Sequence, residues 1–395
     1  MQNTPTSLRK HVVLIGETNA GKSTLFNALL GQQKAIISEK PGTTTDPVSA
    51  AMELIPFGPI MLYDTAGFGD QDELSKLRAE KTEDISRRAD AAIYVCEYGK
   101  LNAEHYNNFL KKKIPHLLAF TKCKDQPDSS LNATRVSYAN ALFVPNEIAL
   151  LREKLSSLLQ QENEQNMFSG LLAEKSMIAL VVKIDSAAPK GRLILPQVQL
   201  IRDCVDNNII CIVTSIDDLQ DTLNKTNNID LIVTDSQLFN EVANIVPKNK
   251  LLTSVSMLIA HQRADFDQLL TGAKQLNLLK QGDKILMLEG CTHNATHEDI
   301  GRVKIPKMLM KKLAIDLQFE YFSGYDFPKN LNDYSLAISC ASCMLNQQEI
   351  TKRLEYAQNA NLPITNYGMV LAWGNGILER CCKIFLKETL SNESD

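Results

Sequence analysis

Residues 16–24 read GETNAGKST; they follow the apolar run HVVLIG and open the helix-like stretch KSTLFNALLG. The pattern G-x-x-x-x-G-K-[ST], set between a buried strand and a helix, commits this part of the chain to a phosphate loop at the end of a central strand. Its glycines let backbone N–H groups turn toward phosphate oxygens, and the helix N-terminus adds partial positive charge. A loop of this kind uses Gly16, Glu17, Thr18, Asn19, Ala20, Gly21, Lys22, Ser23 and Thr24 as the nucleotide cradle. Lys22 is placed to reach the β- and γ-phosphates, and the Ser23 hydroxyl to bind Mg²⁺.

The segments that follow agree. DTAG (64–67) ends the strand IMLYDTAG, so Asp64 is expected to hold Mg²⁺ through water and the Gly67 N–H to sense the γ-phosphate. PGTTTDP (41–47) lies between the two motifs, where a first switch loop belongs, and Thr44 is the residue expected to complete the Mg²⁺ shell. Strands at HVVLIG, IMLYDTAG, DAAIYVC and HLLAFTK alternate with helical patterns, which predicts a largely parallel α/β sheet covered on both faces. EIALLREKLSSLLQQ closes the segment as an amphipathic helix. These pieces together resemble the translation-factor-related GTPases over roughly residues 10–160.

Three details refine that resemblance. Asn19 occupies the place where potassium-activated members carry an asparagine. Its side-chain carbonyl helping to hold K⁺, and a plain loop-capping role, both stay open. After DTAG comes Phe68 rather than a water-orienting glutamine, so hydrolysis is expected to be slow and helped by a cation or a partner. The guanine-recognition pattern N-K-x-D is replaced by TKCKD: Thr121 and Lys122 match its first two positions, Lys124 takes the acidic one, and Asp125 falls one residue late. VSYAN (136–140), with Ser137, is the candidate base-contacting loop.

The polar stretch QENEQNMFSG (161–170) reads as a linker, and a second alternation follows. Strands are predicted at MIALVVKID, IICIVTS, DLIVTDS and LLTSVSM, and a helix at LPQVQLIRDCVDNN. No phosphate loop and no internal repeat is legible there. A third region contains FDQLLTGAKQLNLLKQGDKILMLEG, KIPKMLMKKLAIDLQFEYFSGYDFP and YSLAISCASCML, and ends in a stretch read as helix, turn, helix.

Nine cysteines are many for a chain of 395 residues. Cys96, Cys123, Cys204 and Cys211 sit in or beside apolar runs and read as small core residues. Cys381 and Cys382 are adjacent on a helical pattern and suit one metal centre poorly. Cys291-Thr-His293 and Cys340-Ala-Ser-Cys343 have ligand spacing. Three thiolates with a different fourth ligand suit a 4Fe–4S cluster with one open iron, and equally a Cys₃His zinc site.

GETNAGKSTLFNAL, PGTTTDPV, PKGRLILPQVQLIRD, CTHNATHEDIGRVKIP, CASCM and PITNYG together resemble the FeFe-hydrogenase maturation GTPases, the HydF family, over nearly the whole chain. That resemblance implies an arm at 1–9, a GTPase domain at 10–165, a dimerisation domain at 170–264 and an iron–sulfur domain at 265–395. It implies a homodimeric scaffold that receives a transient di-iron subcluster from radical-SAM maturases and delivers it to apo FeFe-hydrogenase. Cys291, Cys340 and Cys343 would hold the 4Fe–4S cluster. The family's usual histidine before C-x-x-C is Ser339 here, which leaves His293 as the local candidate fourth ligand, with His297 or Glu298 behind it. An exogenous or absent fourth ligand is equally allowed.

A net charge of −4 and the lack of a basic stripe argue against a nucleic-acid footprint. No apolar run is long enough to span a bilayer and no leader is legible, so the expected compartment is the cytoplasm.

Overall fold

The computed structural model describes residues 4–31, 47–67, 81–122, 141–143, 147–160, 166–183, 193–226, 228–290, 299–328, 330–342 and 344–386. The chain divides into two compact units, Met1–Asn163 and Glu164–Asp395.

The first unit is built on β1 (Lys10–Gly16), α1 (Lys22–Leu30), β2 (Val48–Leu54), β3 (Gly58–Asp64), α2 (described over 81–87), β4 (Ala91–Glu97), α3 (Ala103–Leu110), β5 (His116–Thr121), β6 (Ala141–Phe143) and α4 (Ile148–Gln160). The sheet order is β2-β3-β1-β4-β5-β6, parallel except for β2, which pairs antiparallel with β3. β1 and β4 are continuous apolar runs because both faces of a central parallel strand are covered. Strand β2 escapes the sequence reading: VSAAMEL is an edge strand with a mixed burial pattern and no apolar run to announce it.

The second unit holds two further sheets. The first is formed by β7 (Met177–Val182), α5 (Leu195–Asp206), β8 (Ile210–Ser215), α6 (Leu219–Lys225), β9 (Leu231–Thr234), α7 (Phe239–Ile245), β10 (Leu251–Ser254) and α8 (Val255–Arg263). The second comprises α9 (Phe266–Lys274), β11 (Lys284–Glu289), α10 (Ile305–Leu313), β12 (Gln318–Ser323), β13 (Leu336–Ser339), α11 (Gln347–Asn359), β14 (Ile364–Asn366), α12 (Tyr367–Gly374) and α13 (Leu378–Cys382). Two predicted elements are corrected. The expected strand LLTSVSM stops at Ser254, whose hydroxyl accepts from the Met257 N–H and starts α8. The expected terminal helix pair encloses the three-residue strand β14.

The fold of the second unit repeats where the sequence shows no repeat. The sheet orders are β10-β9-β7-β8 and β12-β11-β13-β14, all parallel, so each joins four strands of one chain segment through the same kind of α/β alternation. In its own chain order the first sheet reads 4-3-1-2 and the second 2-1-3-4. Read from the opposite edge the first is 2-1-3-4, so the two halves share one topology. The registers correspond as well: Val182 pairs with Ser215 as Glu289 does with Ser323, and Thr234 with Ser254 as Ser339 does with Asn366. At the last strand of each half the likeness reaches single atoms. Ser254 and Asn366 cap α8 and α12 at the N–H groups of Met257 and Met369. Thr253 and Thr365 each place a hydroxyl on those methionine sulfurs, at 3.6 and 3.7 Å. TSVSMLIA and TNYGMVLA share only Thr, Met and Ala, which is why the repeat is silent as sequence.

The two sheets share one apolar core, running from Ala179 and Val181 through Phe239, Met257 and Leu269 to Leu286, Ile338 and Met369. Cys204, Cys381 and Cys382 are buried as core residues, as is Cys96 in the first unit, while Cys211 is half-buried. Cys123 lies outside the described residues.

Candidate functional site

The phosphate loop is assembled by close backbone approaches that only glycine permits. A methyl group at Gly16 would lie 2.0 Å from the Val95 carbonyl oxygen, so β1 and β4 press together where the loop begins. A methyl group at Gly67 would lie 2.3 Å from the Thr18 backbone nitrogen, so the end of DTAG rests directly on the loop. Asn19 and Gly21 have φ of 62° and 92°, the left-handed turn that aims successive N–H groups inward.

Lys22 is buried, and its ammonium donates to the carbonyls of Gly16 (3.1 Å) and Glu17 (2.7 Å). It therefore lies inside the loop it is expected to serve. Asp64 receives a hydrogen bond from the Ser23 side chain, while its Oδ1 is buried and, among the described residues, has no partner. Burial raises its carboxyl above the ordinary range, against the opposing pull of Ser23 and Lys22. A desolvated carboxylate oxygen beside a serine hydroxyl is the donor set a hard divalent cation takes, so the residues present fit Mg²⁺.

Two contacts lock the rest in place. The Thr65 hydroxyl donates to the Leu14 carbonyl at 2.6 Å, tying DTAG to β1. The Thr121 hydroxyl donates to the Ala20 carbonyl at 2.5 Å and lies 3.3 Å from the Cys96 carbonyl. Thr121 is thus a tether between β5 and the phosphate loop, a role the motif comparison does not reveal. Lys122, at φ 56°, pairs with Glu97 at 2.8 Å. Glu17 meets His105 of α3 at 3.2 Å. Thr44, Asp125 and Ser137 lie outside the described residues, as do Phe68 and Lys124.

In the second unit, the 2-1-3-4 order makes the gap between β11 and β13 a topological switch point, where chain connections leave to opposite sides and open a crevice at the strands' carboxyl ends. Cys340 sits there. Its Sγ accepts from the Gly290 N–H (2.9 Å) and the Ser342 N–H (3.2 Å). A methyl group at Gly290 would lie 3.2 Å from that sulfur, and Ser342 takes the left-handed φ of 53° that turns its N–H inward. Two backbone N–H donors thus converge on one sulfur and fix its position at the strand end.

Beneath this crevice, buried Glu289 accepts from the Arg302 guanidinium on both oxygens (3.0 and 2.8 Å) and from the Ser323 hydroxyl (2.7 Å). Asp299 caps the π-helical turn Ile300–Lys304 through the Arg302 N–H at 2.7 Å. The clamp therefore joins the residue before Gly290 to the turn that begins after Asp299. Burial pushes the Tyr367 phenol well above its ordinary range. Among the described residues no group of three or more His, Cys, Asp or Glu is arranged around a metal position. Cys291, His293, His297, Glu298 and Cys343 lie outside the described residues. The sequence reading missed the Glu289–Arg302 clamp; its signal was a carboxylate ending the apolar strand KILMLE.

Residues 11–122 match a family model described as 50S ribosome-binding GTPase. Among relatives, the tRNA modification GTPase MnmE of Treponema denticola is 34% identical over 174 residues, 40% of this chain and 37% of that protein. The MnmE of Thermus thermophilus is 43% identical over 88 residues, 22% of this chain and 20% of that protein. The chain spans little more than a third of the length of such relatives. The G domain of the T. maritima FeoB iron transporter superposes at 22% identity with a TM-score of 0.28, covering 38% of this chain and 98% of that one. The first unit is a P-loop GTPase domain. Residues 167–264 match the hydrogen maturase F dimerization domain and residues 267–384 its tetramerization domain, together more than half of the chain. The protein belongs to the hydrogen maturase F family of hydrogenase-maturation GTPases. The expected homodimer is accordingly widened, since this family's models include a tetramerization domain as well.

Proposed function

We propose that this chain is a GTP-hydrolysing scaffold that carries a 4Fe–4S cluster, receives a di-iron precursor from radical-SAM maturases and passes it to apo FeFe-hydrogenase. The observation that carries the reading is Cys340: a sulfur at a switch-point crevice, held by two backbone N–H groups one of which, Gly290, directly precedes Cys291 in the chain. Cys343 follows Ser342, the other donor. Cys291, Cys340 and Cys343 would hold the cluster, with His293 or an exogenous group at the fourth position; the cluster would supply an open iron for an exchangeable or bridging ligand.

In the first unit, Lys22 exchanges its loop carbonyls for β- and γ-phosphate oxygens, and Gly67 reports the γ-phosphate through its N–H. Ser23 and Asp64, with Thr44, would hold Mg²⁺, which neutralises charge developing on the phosphates. Asn19 is the candidate K⁺ contact. Asp125 and Ser137 are the candidate base contacts beside Thr121 and Lys122. With no glutamine after Gly67, intrinsic hydrolysis is slow and waits on a cation or a partner.

The domains proposed are 1–9, 10–165, 170–264 and 265–395. The edge strand β8 exposes Ile210 and Val213, and its neighbour α5 exposes Val198 and Val205, an apolar edge suited to a second copy of the chain. Among the described residues no helix is long and apolar enough to cross a membrane; a cytoplasmic setting is proposed with the reducing chemistry the thiolates need.

The test is anaerobic reconstitution with iron and sulfide, metal analysis and EPR of the reduced protein, alongside Cys291→Ala, Cys340→Ala and Cys343→Ala. A reduced 4Fe–4S signal lost in all three supports the reading. Stoichiometric zinc without a cluster sinks it and leaves a GTPase with a structural metal site.

A further inference from the structure

Tyr367 opens α12, directly after Asn366, which pairs with Ser339 at the end of β13. Its phenol crosses from that strand to the π-helical turn: a methyl group at Gly301 would lie 2.1 Å from the hydroxyl oxygen. The phenol therefore ends at the turn whose Arg302 clamps Glu289, the residue before the Gly290 N–H that meets the Cys340 sulfur. That hydroxyl is buried and, among the described residues, has no hydrogen-bond partner. A buried hydroxyl left unmet is costly, and an acceptor that arrives with a ligand would meet it.

The internal repeat supplies a control. In the preceding half the positions matching Cys340 and Tyr367 are Asp235 and Val255, one residue beyond Thr234 and Ser254. The half without the cysteine carries an aliphatic side chain where the half with it carries a phenol. Core packing alone is met by valine at this place, so the hydroxyl answers to something else.

We propose that the Tyr367 hydroxyl donates a hydrogen bond to a sulfur of the cluster held at Cys340, and so sets its reduction potential. The inference rests on the cluster reading above. A phenol is protonated at neutral pH and is a donor, and hydrogen bonds to cluster sulfurs stabilise the reduced, more negative state. Tyr367 is a tuning residue; it is not offered as an iron ligand.

The test compares reconstituted wild type and Tyr367→Phe in full-length protein. Iron and sulfide content is measured first, then the midpoint potential by EPR-monitored titration, then exchangeable-proton coupling to the reduced cluster in H₂O and D₂O. The expected result is unchanged iron and sulfide, a more negative potential and one fewer coupled exchangeable proton. Equal potentials and equal couplings overturn the proposal. Should Tyr367→Phe not retain a cluster, Gly301→Ala decides, because it keeps the phenol and displaces its oxygen: a negative shift supports the proposal and an unchanged potential overturns it. A wild type that binds no cluster fails the scaffold reading itself, and is seen before any variant is compared.

Discussion

Replacing Thr121 by valine removes one oxygen and keeps the shape of the side chain. In the native loop that oxygen donates at 2.5 Å to the carbonyl of Ala20, which is 4% exposed. The substitution forfeits a net hydrogen bond of about 1 kcal/mol and leaves a buried acceptor unmet at about 1–3 kcal/mol. The nucleotide-free loop escapes part of this cost by relaxing until water reaches Ala20. Closing around phosphates requires the native arrangement again, so the cost falls on binding. A penalty of roughly 1.5 kcal/mol corresponds to about tenfold weaker binding. The assay is titration of a fluorescent GDP analogue against wild type and Thr121→Val at fixed Mg²⁺ and salt, with thermal unfolding of both nucleotide-free proteins alongside. The reasoning predicts weaker binding with little change in unfolding temperature. Unchanged affinity with a large fall in unfolding temperature would refute it, since the tether would then be equally strong in both states.

Three further outcomes follow from the same geometry. Asp64→Asn removes a desolvated carboxylate, so the nucleotide-free protein should unfold no earlier than wild type, while Mg²⁺-dependent hydrolysis falls on the order of a hundredfold or more, measured by phosphate release. His11 is buried between Tyr63 and the Thr6 carbonyl, and burial lowers its pKa from 6.5 to about 4. The unfolded chain therefore binds a proton first as pH falls below 6.5, and stability is lost down to about pH 4, by roughly 2 kcal/mol at pH 5. Hydrogen exchange of β1 at pH 7 and 5 should show that loss in wild type and not in His11→Gln. Arg302→Ala strands buried Glu289; because Arg302 is partly in solvent the cost is roughly 2 kcal/mol, below the about 3–5 of a fully buried pair, and reconstituted iron content should fall with it.

How much of this was legible beforehand depends on the range of the physics. The phosphate loop and DTAG are local patterns, and the residues described from them converge on one crevice. Thr121 was visible as a departure from a motif, but its tether spans 101 positions and no spacing rule reaches that far. β14 was invisible because three residues carry too little periodicity, and its loss hid the repeat: without a fourth strand the two halves do not match. The backbone setting of Cys340 depends on Gly290, fifty positions earlier, meeting it across two strands. Sequence spacing named the sulfur and was silent on the donors.

The continuous core beneath the two repeated sheets has a consequence for cooperativity. Val181 and Leu288 belong to the same apolar cluster, so neither half can melt without exposing the other's interior. The chain therefore presents two thermodynamic folding units rather than three, and calorimetry should resolve two transitions. A truncation between residues 264 and 265 would sever that core and leave both fragments prone to aggregation, whereas one at the boundary near residue 163 follows the seam between units. Occupancy at the Cys340 crevice is then linked by mass action to the melting of the half that bears the exposed apolar edge, so any ligand bound there stiffens the oligomerisation surface along with its own sheet.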